Sequence, residues 1–290
     1  VLSSFSAVHP LLTPPHCPTM LHGYLPPHRF LAYLSWTQIR DLPAKDRVVI
    51  IQPIGAIEQH GPHLPLAVDA TIALGVLGRA LENLDPTIPA YALPPLYYGK
   101  SNEHLHFPGT LTLSAETLIN TLMEVGDSLY RAGFRRWVLL NGHGGQPQVL
   151  EIVARDLHLR YGDFWVFPWF VWSVPNQVDQ WLSPKELELG IHAGDAETSL
   201  MLTLLPDYVN LDTAIAEYPQ GLPTDGILSL EGTLPFAWAT RDLSQSGVLG
   251  DPTTASRDKG DRILTSLAQG WVQAITAAHH FQPPQTHKKN

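Results

Sequence analysis

Cysteine is almost absent from this sequence, which has one cysteine among 290 residues. A single cysteine excludes a disulfide within the chain and fits a reducing compartment. Long hydrophobic runs are also absent, because the longest, residues 164–172, falls well short of the roughly 20 residues that cross a bilayer. Residues 1–30 lack the pattern of a signal peptide. We therefore expect a cytoplasmic protein with no membrane partner.

Charged residues are scarce as well, at 16% of the chain, and the formal net charge is −9. A nucleic-acid surface needs clustered lysine and arginine, and the only basic cluster of note is Lys288-Lys289 at the end of the chain. We therefore expect no nucleic-acid partner. The hydrophobic content of 44% instead indicates a compact globular protein.

The composition divides the chain into one globular region and two ends. Residues 1–30 are rich in proline, histidine and serine and show no helical or strand period, which predicts a disordered extension, with Met20 as an alternative first residue. Residues 282–290 are predicted to be a flexible tail. No shift in composition marks a boundary within residues 31–281, so this region is expected to form one domain.

Strand and helix patterns alternate along this region, which is typical of a parallel α/β sheet. Buried strands are predicted at Val48–Ile51, Ile88–Leu96, Arg136–Leu140 and Phe164–Trp172, the last being either buried or oligomer-facing. Three helices are predicted to begin after the caps Ser35, Asp69 and Ser114. Three more are predicted, one from Pro147 to Tyr161, one with its end at Leu205, and one from Ala255 to His280. Residues 206–250 are expected to be irregular.

Metal-ligand side chains follow the first strand, in the stretch Pro53–Asp69. Residues two apart in an extended chain point to the same side, so Glu58 and His60 are predicted to face one site. Carboxylate and imidazole are ligands that Zn²⁺, Mn²⁺ and Fe²⁺ accept, and Asp69 closes the same segment.

Two later segments add residues of the same type. His143 directly follows the third strand, and Glu197 opens a later helix. Each has an ordinary structural alternative: Asp69 as a helix cap, Glu197 as a partner of the helix dipole, and His143 as part of an anion-binding turn. The carboxyl ends of parallel strands meet at one edge of a sheet, so we expect these residues to converge there.

The combined set contains three carboxylates and two imidazoles, which suits two divalent ions that share one carboxylate. The candidate metal ligands are Glu58, His60, Asp69, His143 and Glu197. The candidate cofactor is therefore a pair of Zn²⁺, Mn²⁺ or Fe²⁺ ions per chain.

Several separated motifs, in order, resemble the creatininase (creatinine amidohydrolase) family. They are Gly55–Pro65 with Asp69, His106–Thr110, Asn141–Gly145, His192–Gly194 with Glu197–Ser199, and Thr254–Gly260. The resemblance implies a three-layer α/β/α sandwich with a mostly parallel sheet, a dinuclear metal site, and hydrolysis of a cyclic amide or formamide. It also implies a homo-oligomer, with a hexamer as the suggested form.

The resemblance further implies that Glu58 and His143 bind one metal, that His60 binds the other, and that Asp69 bridges them. The family's namesake enzyme has a further glutamate ligand two residues after the matching histidine, where this chain has Gly145. This difference resembles the family branch with the His-Gly-Gly form. Glu197 is the expected replacement ligand.

The substrate is less well defined. The namesake enzyme has tryptophan and glutamate shortly before the histidine that matches His192, where this chain has Glu188 and Ile191, so creatinine is not the expected substrate. The His-Gly-Gly branch includes a formamide hydrolase and a peptidase. The leading prediction is hydrolysis of a non-peptide C–N bond in a small cyclic amide or formamide.

In this prediction a water that bridges the two metals is activated, and a proton must reach the leaving nitrogen. His192 is the candidate general acid, with Asp195 as a weaker one, and His63 and His106 would orient the substrate or support the ligands. Two alternatives stay open. One is a metallopeptidase that trims a specific short peptide in a groove lined by residues 206–250, and the other is a catalytically silent metal-binding scaffold.

Overall fold

The computed structural model describes residues 21–222 and 227–284. Its centre is a parallel sheet of four strands in the order β2-β1-β3-β4. The strands are β1 (Val49–Ile54), β2 (Ala90–Ala92), β3 (Arg136–Asn141) and β4 (Trp165–Phe170). β1 and β3 are aligned along their whole length, from Val49 beside Arg136 to Ile54 beside Asn141. The loops that follow these two strands therefore leave the sheet side by side.

The α-helices of the described ranges are α1 (Trp36–Arg40), α2 (Val68–Asn83), α3 (Ala115–Arg131), α4 (Pro147–Tyr161), α5 (Pro184–Leu189), α6 (Asp195–Leu204), α7 (Thr240–Leu243) and α8 (Arg257–His280). Short 3₁₀ helices lie at Pro27–Arg29, Leu31–Tyr33, Lys45–Arg47, Asn102–His104, Val178–Gln180, Pro206–Tyr208, Leu211–Thr213 and Pro252–Thr254. Within these ranges, no helix is both long and apolar enough to cross a membrane.

Local sequence signals account for several helix ends. The Ser35 side chain accepts a hydrogen bond from the Gln38 amide in a capping box, and Ser114 caps α3 by accepting from the Thr117 amide. Pro147 occupies the first turn of α4, where a missing backbone N–H costs nothing. These positions agree with the predictions from the sequence, and α4 has the predicted bounds.

The expected three-layer α/β/α architecture is confirmed. Alternate residues of a strand point to opposite faces, so Val49 and Ile51 pack on one side of the sheet and Val48 and Ile50 on the other. The first side is covered by α2, α6 and α8, and the second by α3 and α4. Both faces of the central strands β1 and β3 are therefore buried, as is usual for parallel strands.

Two boundary predictions need correction. Residues 21–30 are part of the fold, because Leu25 and Phe30 are buried in the core and Phe30 pairs with Ala92. The other residues of the predicted extension, 1–20 with Met20, lie outside the described residues, as do residues 285–290 of the predicted tail. Asp69 is not a helix cap: α2 begins one residue earlier, and its N-cap Ala67 offers no side-chain hydrogen bond.

The tryptophan-rich strand is the edge strand β4, which pairs with β3. All six of its residues are half-buried, because a neighbouring strand lies on one side of β4 while α4, α8 and the chain after α8 cover parts of its faces. The predicted second strand is shorter than expected, and residues 206–250 are largely irregular, as predicted.

Candidate metal centre and active site

The candidate residues converge where the strand order changes direction. β1 and β3 are neighbours whose connections run to opposite sides of the sheet, and ligands of open α/β folds bind at such a switch point. Glu58 follows β1, His143 follows β3, and Asp69 lies in the first turn of α2. All three are buried, and a cavity of about 950 Å³ opens onto them.

Among the described residues, three groups of side chains could each hold a metal ion: one is Glu58, His60 and His192, and the other two share Asp69. Of these two, one is Glu58, Asp69 and His143, the other is His60, Asp69 and Glu197, and the ligand atoms of each lie within 4.8 Å of one another. His143 Nδ1 lies 3.2 Å from Asp69 Oδ2, whereas His60 Nε2 lies 3.3 Å from Asp69 Oδ1. The two oxygens of Asp69 thus face different histidines, which is the arrangement of a bridging carboxylate.

Hydrogen bonds to backbone carbonyls set the orientation of both imidazoles. His60 Nδ1 lies 3.1 Å from the Glu58 carbonyl oxygen, and His143 Nε2 lies 3.1 Å from the Lys100 carbonyl oxygen. A carbonyl can only accept, so each of these nitrogens carries the hydrogen. The other nitrogen of each ring, His60 Nε2 and His143 Nδ1, points into the shared site and can bind a metal ion once it has lost its proton.

Unpaired polar atoms mark the same place. Within the described part of the chain, Glu58 Oε2, His60 Nε2 and Asp69 Oδ2 are buried and have no hydrogen-bond partner. Buried polar atoms are rarely left in this state, and an ion is one of the groups that satisfies them. Carboxylate oxygens and imidazole nitrogens are the donors that Zn²⁺, Mn²⁺ and Fe²⁺ accept, so these residues fit divalent ions.

The electrostatics of the cluster also favour a cation. Burial alone would lower the pKa of His60, but Asp69, together with Glu197 and Glu58, raises it to about 9. Burial raises the pKa of Glu197 to about 7, and the Asp69 charge adds to this effect while His60 opposes it. In the metal-free protein His60 is therefore protonated at neutral pH. Its positive charge partly neutralises the buried carboxylates, as a metal ion would.

Three imidazoles pack against one another beside these groups, with their ring planes tilted by 32–35°. The His192 ring lies 4.2 Å from the His60 ring and 4.3 Å from the His104 ring, measured between centroids. Its Nε2 is 2.8 Å from the Gln59 carbonyl oxygen, so the free Nδ1 faces Glu58 Oε1 at 3.9 Å. Burial and the neighbouring imidazoles lower the pKa of His192 well below its usual range, so in the metal-free protein the ring is neutral.

Asp195 lies away from this cluster. Its carboxylate forms an ion pair with Lys259 and accepts hydrogen bonds from Thr254 at 2.8 Å and Ser199 at 3.1 Å. It is not among the residues that line the cavity. The geometry therefore gives Asp195 a part in joining α6 to α8, and the weaker general-acid alternative from the sequence has no support in these contacts.

The two other histidines considered from the sequence are held elsewhere. His63 Nε2 lies 2.9 Å from the Thr198 hydroxyl oxygen in α6, and burial, with a smaller contribution from His60, lowers its pKa to about 4. His106 is exposed and contacts Arg241. Neither residue lines the cavity, so neither lies where it would orient a substrate directly.

Gly145 and Glu197, the expected replacement ligand, lie on different sides of Asp69. Glu197 lies on the His60 side of Asp69, whereas Gly145 lies beside His143. The carboxylate next to Gly145 is that of Glu103, whose Oε1 is 3.0 Å from His143 Nε2. Glu197 therefore belongs to the group of His60, and its role as a replacement ligand stays a prediction.

The sequence analysis had not assigned a role to Glu103, His104 or Gln59. His104 Nε2 lies 3.4 Å from Glu58 Oε1, and the Gln59 amide nitrogen lies 2.8 Å from His104 Nδ1. The loop that contains Glu103 and His104 is unusually rich in polar and aromatic side chains, so the sequence did indicate a functional loop there. Glu103 is 40 residues from its partner His143, and His104 is 45 and 46 residues from its partners Gln59 and Glu58, so spacing could not identify them.

Comparison with known proteins identifies the family. The creatininase model, described as creatinine amidohydrolase, matches residues 32–275. The chain belongs to the creatininase family. It is 34% identical over 265 residues to the creatinine amidohydrolase of Pseudomonas putida, which covers 85% of this chain and 95% of that protein. It is 32% identical over 260 residues to the mycofactocin precursor peptide peptidase of Mycolicibacterium smegmatis, with coverages of 86% and 93%.

Solved structures of the creatininase family share this fold. A crystal structure of creatinine amidohydrolase aligns with a TM-score of 0.71 at 32% identity, over 88% of this chain and 99% of the other. Similar creatininase structures include a manganese form and a zinc–zinc form of a variant. The creatininase-family chain described here is thus a hydrolase of the amidohydrolase type with the α/β/α fold of its relatives.

Proposed function

We propose that this creatininase-family protein is a divalent-metal-dependent hydrolase of an amide C–N bond. The observation that carries this proposal is the pair of three-residue groups that share Asp69 and open onto one cavity. Glu58, Asp69 and His143 would hold one ion, and His60, Asp69 and Glu197 the other. Bound ions at such a site would activate a water molecule and polarise the substrate carbonyl.

His192 is the residue proposed to move the proton. Its neutral ring leaves Nδ1 free on the side of Glu58, while Nε2–H is held by the Gln59 carbonyl. Nδ1 would accept the proton that the attacking water loses and deliver it to the nitrogen that leaves when the C–N bond breaks. His192 thus acts as a base and then as the general acid predicted from the sequence.

The leading substrate class is a small cyclic amide or a formamide. The relatives include a creatinine amidohydrolase, which by its name acts on a small cyclic amide. The ligand groups lie buried at the base of the cavity, where a small carbonyl compound can be enclosed and protected from bulk water.

A short peptide is the second candidate, and the size of the cavity favours it. About 950 Å³ is at the upper end of the range for small-molecule sites, and the segment Leu230–Ala239 forms one wall, within the loops expected for a peptide groove. Peptidases of mycofactocin precursors are among the relatives. Comparing kcat/KM for formamides, cyclic amides and short peptides separates the two classes. A catalytically silent metal-binding scaffold would hydrolyse none of these compounds.

Metal content per chain tests the proposal directly. Elemental mass spectrometry of gently purified protein should give about two divalent ions per chain, as expected for a two-metal site. Replacing Glu197 by alanine should lower the content toward one, because Glu58, Asp69 and His143 keep their group intact. A wild-type protein with one ion or none, unchanged by the substitution, contradicts the proposal.

Metal binding should also depend on pH with a defined sign. Because the pKa of His60 is about 9 in the metal-free protein, His60 carries a proton at neutral pH that an ion must displace. Affinity of the His60 group should therefore rise about tenfold per pH unit between about pH 7 and 9 and level off above the pKa of His60, with a steeper rise below about pH 7, where Glu197 is protonated as well. Calorimetry in two buffers of different ionisation enthalpy should detect the released protons. Binding without proton release contradicts this assignment.

Other properties remain predictions of the family resemblance. A homo-oligomer, with a hexamer as the suggested form, would appear as a multiple of the 32.0 kDa chain mass in light scattering. The choice between Zn²⁺, Mn²⁺ and Fe²⁺ would be read from the same elemental analysis. A cytoplasmic location would be tested by cell fractionation.

A further inference from the structure

The 3₁₀ turn Asn102–His104 lies directly behind the first metal-ligand group. Glu103 Oε1 is 3.0 Å from His143 Nε2, on the side of the ring away from Glu58 and Asp69. The side chain of Glu103 is only 12% exposed, and its Oε1 has no conventional hydrogen-bond partner among the described residues. A buried carboxylate is thus aimed at the outer nitrogen of a candidate ligand.

Lys100 holds this carboxylate in place. Its ammonium lies 3.4 Å from Glu103 Oε2 and donates to the Gly145 carbonyl at 3.2 Å. Its own amide donates to Gln146 Oε1 at 2.9 Å, and its carbonyl accepts the His143 Nε2–H. The loop around Glu103 is therefore tied to the loop around His143 at several points.

The absence of a side chain at position 145 makes room for the contact. A Cβ atom on Gly145 would overlap the Glu103 carboxylate and lie 2.5 Å from His143 Nε2. A Cβ atom on the preceding Gly144 would meet Glu231 alone, at 3.9 Å. Of these two adjacent glycines, position 145 is thus the one where any side chain would displace Glu103.

We propose that Glu103 is a positioning residue that orients His143 for metal binding, and that Gly145 is glycine because the Glu103 carboxylate occupies its side-chain space. The negative charge of this carboxylate, 3.0 Å from Nε2, reinforces the Lys100 carbonyl in keeping the hydrogen on Nε2 and leaves Nδ1 as the ligand. The adjacent His104 contacts Glu58 Oε1 at 3.4 Å, so one short turn supports two members of the same group. This inference rests on the proposed function, because it assumes that the group binds metal.

Zinc titration of the metal-free protein tests the inference. Competition with a chromophoric chelator would resolve the two affinities in the wild type and in the Glu103→Ala, Glu103→Gln and Gly145→Ala variants. Glu103→Ala and Gly145→Ala should weaken one of the two affinities by about 10- to 100-fold, which is the usual effect of losing such a partner. Glu103→Gln keeps an oxygen acceptor and should fall in between. The matched control Gly144→Ala should bind as the wild type does.

Imidazole ¹⁵N spectra give a readout that a purely structural role would not change. With zinc bound, His143 should carry its hydrogen on Nε2, and the Nε2 resonance should shift in Glu103→Ala at an unchanged melting temperature, because the hydrogen loses the nearby carboxylate and keeps the Lys100 carbonyl. Two unchanged affinities in Glu103→Ala would overturn the inference and leave the proposed function standing, and so would an equal loss of both affinities with a lowered melting temperature. A wild-type protein that binds no zinc would refute both.

Discussion

Replacing Asp69 by alanine should abolish hydrolysis and metal binding together. Its two carboxylate oxygens face His60 and His143 at 3.3 and 3.2 Å, so the substitution removes a ligand from both groups at once. Metal ions supply several kcal/mol of stabilisation to the transition state, which corresponds to a loss of about 10³-fold or more in kcat. Elemental analysis and steady-state kinetics on the same preparation would measure both losses.

The Asp69→Asn variant separates shape from charge at this position. Asparagine keeps the size of the side chain but loses the charge, and so it should also fail to hold both ions. Replacing the exposed Asp179 by asparagine serves as the matched control, and this variant should keep its metal and its activity. A variant at position 69 that retains two ions, or activity within tenfold of the wild type, would show that Asp69 is not the bridging residue.

Replacing Glu186 by alanine should have the largest effect on stability. The carboxylate is buried and accepts hydrogen bonds from the amides of Asp195 and Asp251 at 2.8 and 2.9 Å and from the Tyr218 hydroxyl at 2.9 Å. Each buried donor left unpaired costs about 1–3 kcal/mol, so the free energy of unfolding should fall by about 4 kcal/mol. This corresponds to a melting temperature roughly 10 °C lower.

Three glycines make room for the Glu186 carboxylate. A Cβ atom on Gly190, Gly194 or Gly250 would collide with the carboxylate, so three glycines enclose it. The Asp195 amide that it binds begins α6, the helix that carries Glu197, so metal binding should weaken as well. Replacing the exposed Glu188 of the same helix by glutamine is the matched control and should leave the melting temperature within about 1–2 °C of the wild type, as is usual for surface substitutions. An equally small change in Glu186→Ala would contradict this account.

The helices and strands were largely readable from the sequence. Local patterns predict the serine caps, Pro147 at a helix start and the alternation of buried strands with amphipathic helices, because each of these depends on residues a few positions apart. The five candidate ligands were named from motifs and family resemblance, and the structure brings them together at the ends of β1 and β3 and at the starts of α2 and α6. Their role as ligands remains a prediction.

The structure differs from the predictions where contacts join segments that are distant in sequence. Residues 21–30 have the composition of a disordered tail, yet Leu25 and Phe30 are buried because they pack onto α2 and the edge of the sheet. Asp195 looked like an active-site acid because of its position beside His192, but the first turn of α6 directs its side chain to Lys259. A residue's neighbours in sequence do not reveal which face of its helix meets the cavity.

The local pattern of the chain indicated a parallel α/β sheet, and its motifs, through the family resemblance, implied the α/β/α class, the family and the candidate metal-ligand side chains. Tertiary structure alone decided how these side chains divide into two groups, that Glu197 belongs with His60, and that Glu103 lies in the space beside Gly145. The physical reason is that hydrophobic periods and helix caps depend on near neighbours in sequence. The division of the site depends on distances of a few ångströms between loops that only the packing of α2, α6 and the sheet brings together.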